Sequence, residues 1–335
     1  MTHTFVERDL HVLKYFSSVI TVSGGKVVNV TEPTLKHCPL ACHFYQEFKK
    51  ADPADKGSLR GAVQKAIEFK IENYGFFTKN RSFHFPERAV PFGASEMLAA
   101  SFKSRFLDAT VVVCDGAGTV IVRSPEAVQG IGARMNTLIL TSPIKEIQRK
   151  LKESGCHIVS EDTDWIDQVQ GVAKAISLGY KKIGVTVAGF SARQLEMIRA
   201  LEARENVAVT ILVVCTTGIS SASIEMIREH ADLVWSCASG EVRERIGRDA
   251  ILQLSKQIPV YALTPRGVAF TASCFGNALR MEGLDVKKQY LISEGSGSLA
   301  AHLGECRISV QEAVLPVASG RSPVFCSRKE GGVLV

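Results

Sequence analysis

The chain lacks any apolar run approaching the roughly 18 residues that a membrane helix requires, and Val207–Val214 is of buried-strand length instead. A membrane-spanning helix is therefore not expected. The start, MTHTFVERDL, has neither the basic opening nor the apolar centre of a secretory signal. A phosphate-binding loop with its glycine-lysine signature, a dinucleotide fingerprint and a two-histidine metal helix are all missing. No Ser-His-Asp order can be argued. Nor are there the separated C-x-x-C pairs of a structural zinc site.

Of the 335 residues, 46% are hydrophobic and 22% are charged, the balance of a globular cytosolic enzyme with a generous core. The net charge of +6 comes from 40 basic and 34 acidic residues. The basic residues are scattered rather than gathered on one aromatic-laced face, which argues against nucleic acid and suits an anionic small molecule or coenzyme. A homo-oligomer is compatible with this composition. Nine cysteines, an odd number, point to free thiols in a reducing compartment. Most of them are expected to be small buried hydrophobes.

Strand and helix patterns divide the chain. Val19–Val22 and Lys26–Val30 flank Ser23-Gly24-Gly25 as a hairpin, and helices are predicted over Ser58–Asn73 and over Ser95–Leu107, with Ser95 as N-cap. Beyond Thr110, apolar strands at Lys182–Val187, Val207–Cys215, Asp232–Cys237 and Pro259–Leu263 recur about every 25 residues. The predicted helices between and after them are Ala192–Arg204, Ala222–His230, Val242–Gln257 and Ala269–Met281. The expected fold is α/β, a doubly wound and mostly parallel sheet with a smaller N-terminal α+β unit. Its expected limits are residues 1–100, a Rossmann-like unit at 101–285, and a C-terminal extension at 286–335 with a flexible end.

Ligands of open parallel sheets bind at strand carboxyl ends. Cys114-Asp115-Gly116, Cys215-Thr216-Thr217-Gly218, Cys237-Ala238-Ser239-Gly240 and Thr264-Pro265-Arg266-Gly267 each follow a predicted strand, and all four loops are expected on one edge. Three readings stand beside one another. Gly116, Gly118, Thr119, Thr216, Thr217, Gly218, Ser239 and Arg266 could cradle an anion. A thiol such as Cys114 could be a nucleophile or ligand. Small residues and cysteines could simply pack at tight strand ends.

Asp115 is either an acid-base group or the holder of its own Asp-Gly turn. Arg134, with Asn136 nearby, could clamp a carboxylate or phosphate, or form a surface ion pair. In His37-Cys38-Pro39-Leu40-Ala41-Cys42-His43, Cys38 and Cys42 share a helical face and are candidate ligands for a metal or iron–sulfur centre, with buried thiols as the plainer alternative. Gly295-Ser296-Gly297-Ser298 reads as a linker more readily than as a phosphate loop.

Val113-Cys114-Asp115-Gly116-Ala117-Gly118-Thr119-Val120-Ile121 and Val128–Met135 resemble the methanogenesis marker protein eight family. Thr141–Ile144, Asp167–Val169, Thr216–Ser220 and Cys38-Pro39-Leu40 extend the resemblance over roughly residues 20–285. Cys42, Cys215 and the tail beyond about residue 285 depart from its pattern. The resemblance implies an anaerobic setting linked to one-carbon or coenzyme chemistry, without a reaction or a defined cofactor. The expected function is an enzyme acting on an anionic metabolite or coenzyme. The alternative is an accessory or maturation factor that holds a cofactor, metal or partner protein.

Overall fold

The computed structural model describes residues 9–84, 90, 92–162, 166–275, 285, 287–294, 299–303, 306–318 and 324–325. The Gly295–Ser298 motif lies outside them. Strands β1 (His11–Tyr15), β2 (Ser18–Ser23) and β3 (Lys26–Val30) form an antiparallel meander. Gly24 and Gly25, at φ 56° and 67°, make the left-handed turn that a tight hairpin requires. Alternation buries Leu13, Ile20 and Val22 on one face. After β4 (Leu35–His37), the short helices α1 (Pro39–Phe44) and α2 (Gln46–Lys50) lead into α3 (Lys56–Tyr74). Asp55 caps the start of α3 by accepting from Gly57 N, and Gly75 ends it in the left-handed region. Helix α3 closes this core with Leu59, Ala62, Val63, Ala66 and Ile67.

Next come α4 (Ala94–Lys103), β5 (Ala109–Cys114), β6 (Gly118–Val122), α5 (Pro125–Gly132), β7 (Thr137–Thr141), α6 (Lys145–Glu153), β8 (His157–Ile158) and α7 (Gln168–Ser177). The strand-helix alternation continues through β9 (Lys182–Ala188), α8 (Arg193–Glu205), β10 (Ala208–Val214), α9 (Ser221–His230), β11 (Leu233–Trp235) and α10 (Gly240–Arg245). It closes with β12 (Leu252–Leu254), β13 (Val260–Ala262), α11 (Pro265–Phe275), β14 (Tyr290–Glu294), β15 (Leu299–Leu303), β16 (Cys306–Glu312) and β17 (Val324–Phe325). Helix α4 begins after Gly93, so Ser95 is its second residue rather than its cap.

Among the described residues, one sheet of eleven strands runs β15-β16-β14-β12-β13-β11-β10-β9-β5-β6-β8. Its centre, β5-β9-β10-β11, is parallel, with near-continuous apolar strands between helical layers. The expectation of a mostly parallel sheet is corrected at both flanks. β6 returns antiparallel to β5, and β13 runs antiparallel to both β11 and β12. The molecule is a mixed α/β fold with a large mixed sheet and a smaller antiparallel N-terminal sheet. The predicted helix over Val242–Gln257 is also corrected: α10 stops at Arg245 and the chain enters β12. Gln253, fully buried in β12, is satisfied by bonding to the backbone of Val317 in both directions, a partner no local pattern discloses.

The N-terminal sheet borrows its fourth strand from later in the chain, because β7 pairs antiparallel with β1. That pairing sets the smaller sheet against the carboxyl edge of the parallel strands. Lys14 of β1 donates to Thr217 O at 3.0 Å, and Gly116 N donates to Thr141 Oγ1 of β7 at 2.7 Å.

Candidate functional site

Asp115 lies in the β5–β6 turn with no exposed surface. Its Oδ2 accepts from Phe77 N at 2.7 Å, and its Oδ1 accepts from Arg81 Nε at 3.0 Å. The Arg81 side chain is equally enclosed, stacks on the Phe76 ring at 3.6 Å, and donates to Gly130 O and Ile131 O at 3.3 and 3.2 Å. The carboxylate thus joins the segment after α3 to the turn and to the end of α5. Cys114 is also fully buried, and burial, reinforced by the adjacent Asp115 charge, pushes its thiol well above the ordinary range.

The rest of this turn is held by local packing. Gly116 (φ 73°) faces Ile147, whose Cδ1 would lie 2.7 Å from an added Cβ. Gly118 (φ 66°) opens β6. Thr119 Oγ1 donates to Gln168 Oε1 and accepts from Asp167 N, both at 2.9 Å.

A second group forms behind α3. Lys70 is buried and donates to Arg134 O at 2.8 Å and to Asn136 Oδ1. Burial, then the neighbouring charges of Arg134 and Arg81, lowers its pKa to about 7. Its ammonium sits 5.0 Å from the Tyr15 ring centroid and 5.7 Å from that of Tyr45. Arg134 is a non-glycine residue at φ 61°, and its guanidinium lies over Phe44 and Tyr74. Lys70 was legible after the fact, since it continues the spacing of Leu59, Val63, Ala66 and Ile67 on the buried face of α3.

The third group is at the carboxyl edge of β10 and β11. Cys215 and Cys237 follow these neighbouring strands and both occupy the left-handed region, at φ 60° and 47°. Thr217 Oγ1 accepts from Ala238 N at 3.2 Å, tying the two loops together. Thr216 is buried and donates to Trp235 O, while Ser239 caps α10 by accepting from Val242 N. Gly218 (φ 71°) lies against Lys14 Nζ. Arg243 Nη2 donates to Cys237 O at 2.6 Å.

Cys38 and Cys42 of the α1 segment pack on the same N-terminal core as Ala41 and Ala238. Cys38 lies within Coulombic reach of Cys42 and Cys237, and Cys215 within reach of Cys237 and Lys14. Burial pushes the thiols of Cys38 and Cys42 up, and that of Cys215 to about 12. Sequence reading placed Cys38 and Cys42 apart from the strand-end loops; the fold brings them to the same junction. It also missed Lys14 and Arg81, whose partners are distant in the chain, and Arg243, which reaches back to Cys237 O.

Arg266 is separated from this group. Because β13 is antiparallel to β11, its following loop opens at the opposite edge of the sheet, where Arg266 pairs with Glu202 and donates to Val209 O at 2.7 Å. The expectation of four loops on one edge is corrected to three. A shallow cleft of about 240 Å³ lies elsewhere, lined by Asp9, Phe77, Thr78, Lys79 and Ile144 among others, and includes none of the expected site residues. Among the described residues, no three His, Cys, Asp or Glu side chains are grouped closely enough to hold a metal ion, and no helix is long and apolar enough to cross a membrane.

Comparison with known proteins sets these residues in a family context. A protein of Methanocaldococcus jannaschii described as uncharacterized is 38% identical over 262 residues, covering 77% of this chain and 88% of that protein. Residues 11–273, which include all three groups, match the family described as "Uncharacterized protein conserved in archaea (DUF2099)". The chain belongs to this DUF2099 family.

Proposed function

We propose that this protein holds an anionic coenzyme or cofactor at the junction between the N-terminal sheet and the carboxyl edge of β10 and β11. In this reading it serves anaerobic one-carbon or coenzyme metabolism in the cytosol, as a protein of the methanogenesis marker eight type. One observation carries the proposal. Lys14 and Arg243 reach the junction, Lys70 and Arg134 lie in the neighbouring group behind α3, and among the described residues none of the four pairs with a carboxylate. Elsewhere buried or half-buried guanidinium groups do pair, as Arg81 does with Asp115 and Arg199 with Asp232. Unpaired cations beside buried thiols and tyrosines favour a negatively charged partner.

Within this reading Arg134 and Thr217 contribute to the anion contact, and Gly218 admits the approach of Lys14. Asp115, Cys114, Thr119 and Thr216 hold the frame. An enzymatic role keeps one specific support: Lys70, with its pKa lowered to about 7, is poised to exchange a proton near neutrality. Native mass spectrometry of protein purified without oxygen tests the proposal. A retained anionic mass is expected in the wild type and should be absent from a K14M/R243Q double variant. Wild-type protein without a ligand, or a double variant that keeps it, removes the reading.

A further inference from the structure

We propose that the cleft beside the Gly24-Gly25 hairpin binds a free α-amino acid with an apolar side chain. This site is separate from the junction and does not rest on the function proposed above. Its lining matches each part of such a molecule. Asp9 presents a carboxylate, Lys79 an ammonium, and Phe77 and Ile144 apolar walls. Among the described residues Asp9 has no lysine or arginine partner, and Lys79 has no carboxylate partner. The volume of about 240 Å³ lies below the roughly 300–1,000 Å³ of drug-sized ligand sites and suits a small metabolite.

The buried Cys114-Asp115-Gly116 turn builds this cleft. Asp115 Oδ2 accepts from Phe77 N at 2.7 Å, and Gly116 O accepts from Ile144 N at 2.8 Å. Gly116 N donates to Thr141 Oγ1 at 2.7 Å, Thr141 Oγ1 lies 2.7 Å from His11 Nδ1, and His11 Nε2 lies 2.6 Å from Asp9 Oδ1. Asp9, Phe77 and Ile144 are therefore all positioned from two adjacent residues of one turn. Phe77 is held at φ 61°, an outlier for a bulky side chain, and such outliers gather at ligand clamps. Gly25 lets the hairpin close on the opposite wall, since an added Cβ would meet Thr78 Cγ2 at 2.9 Å.

The same hydrogen-bond chain sets the charge of Asp9. A carboxylate only accepts, so His11 Nε2 carries the proton and donates, and Nδ1 accepts from the Thr141 hydroxyl. The imidazole is neutral in this arrangement. It is fully enclosed against the Phe77 ring, and burial holds its pKa below the ordinary value despite the charges of Asp9 and Asp115. Asp115 is answered by Arg81, and Lys79 is exposed across the cleft. Asp9 thus keeps its negative charge, with Oδ2 oriented by Gly24 N at 3.0 Å. Each of its oxygens has acceptor capacity left for an incoming ammonium. A proton on His11 would cancel that charge and turn Nδ1 into a donor facing Thr141. Amino-acid binding and His11 protonation therefore oppose one another.

The experiment is calorimetric titration of the full-length protein with leucine. Saturable binding of one leucine per chain in the millimolar range is expected. Isoamylamine and isocaproate are leucine without its carboxylate and without its ammonium. Each should bind at least about tenfold more weakly, as should glycine, which lacks the apolar body. D9N and K79M should each weaken leucine binding by about the same factor while keeping the far-ultraviolet circular dichroism of the wild type. Affinity should fall on acidification below the ordinary imidazole range, where neither charge of leucine titrates. A wild type without saturable leucine binding overturns the proposal. So does isoamylamine or isocaproate binding as tightly as leucine, unchanged affinity in both variants, or affinity that rises on acidification.

Discussion

Arg81 Nε donates to Asp115 Oδ1 at 3.0 Å with both side chains closed off from solvent. This pair ties three segments together: the turn after α3, the β5–β6 turn and the last residues of α5. Removing one partner leaves the other charge buried and unpaired, which costs about 3–5 kcal/mol. Asp115→Ala should therefore lower stability by that amount in urea unfolding. An R81M/D115L double variant should recover part of the loss. If D115A unfolds at the wild-type urea concentration, the clamp contributes nothing.

Lys70 predicts a particular pH dependence. Its folded pKa of about 7 lies below the ordinary 10.5, so between these values the unfolded chain binds a proton that the folded chain has released. Stability from this group therefore rises with pH across that window, and its burial penalty is present in full below about 7. Relative to a K70M variant, the wild type should gain stability as pH is raised from neutral to 9.5. A flat difference between the two unfolding curves contradicts this assignment.

Thr119 stands between β6 and α7. Its hydroxyl donates to Gln168 Oε1, and Gln168 Nε2 in turn donates to Thr186 O at 2.6 Å. Thr119→Val keeps the shape and removes the hydroxyl, leaving Asp167 N and Gln168 without their partner. Thermal unfolding should register a loss of about 1–3 kcal/mol, with ligand retention unchanged once the protein is folded. A large change in retention at full stability would return Thr119 to the ligand contacts.

Gly130 sits within α5, where alanine ordinarily gains up to about 1 kcal/mol of helix propensity. Here an added Cβ would meet the Phe83 carbonyl at 2.1 Å, and that carbonyl belongs to the segment carrying Arg81. The clash should outweigh the gain, for a net destabilisation of about 1–3 kcal/mol in G130A. Increased stability in the same measurement would show that the segment yields without cost.

The parts of the fold legible in the sequence were those whose signal is local. β9 and β10 announce themselves as apolar runs, and the Gly24-Gly25 turn announces its hairpin. The direction of β13 was not legible, because a short apolar run reads the same in either orientation. β12 was hidden for a related reason: Gln253 looks like a helix-surface residue until Val317 is brought to it. At the site, the glycines and the thiols were visible by type. Their division into frame and junction depends on Arg81 and Lys14, long side chains whose partners lie 34 and 203 residues away in the sequence.

The borrowing of β7 by the N-terminal sheet sets an order of events on the ribosome. When only the first hundred residues have emerged, β1 has one open edge, with the backbone groups of His11–Lys14 unpaired. That edge waits until Thr137–Thr141 clears the exit tunnel, by which time β5 and β6 are already available to one another. The junction is completed later still, since the Cys215 and Cys237 loops follow β7 after α6–α9 and β8–β11 have been made. Any cofactor seated there would be loaded only after most of the chain has been made.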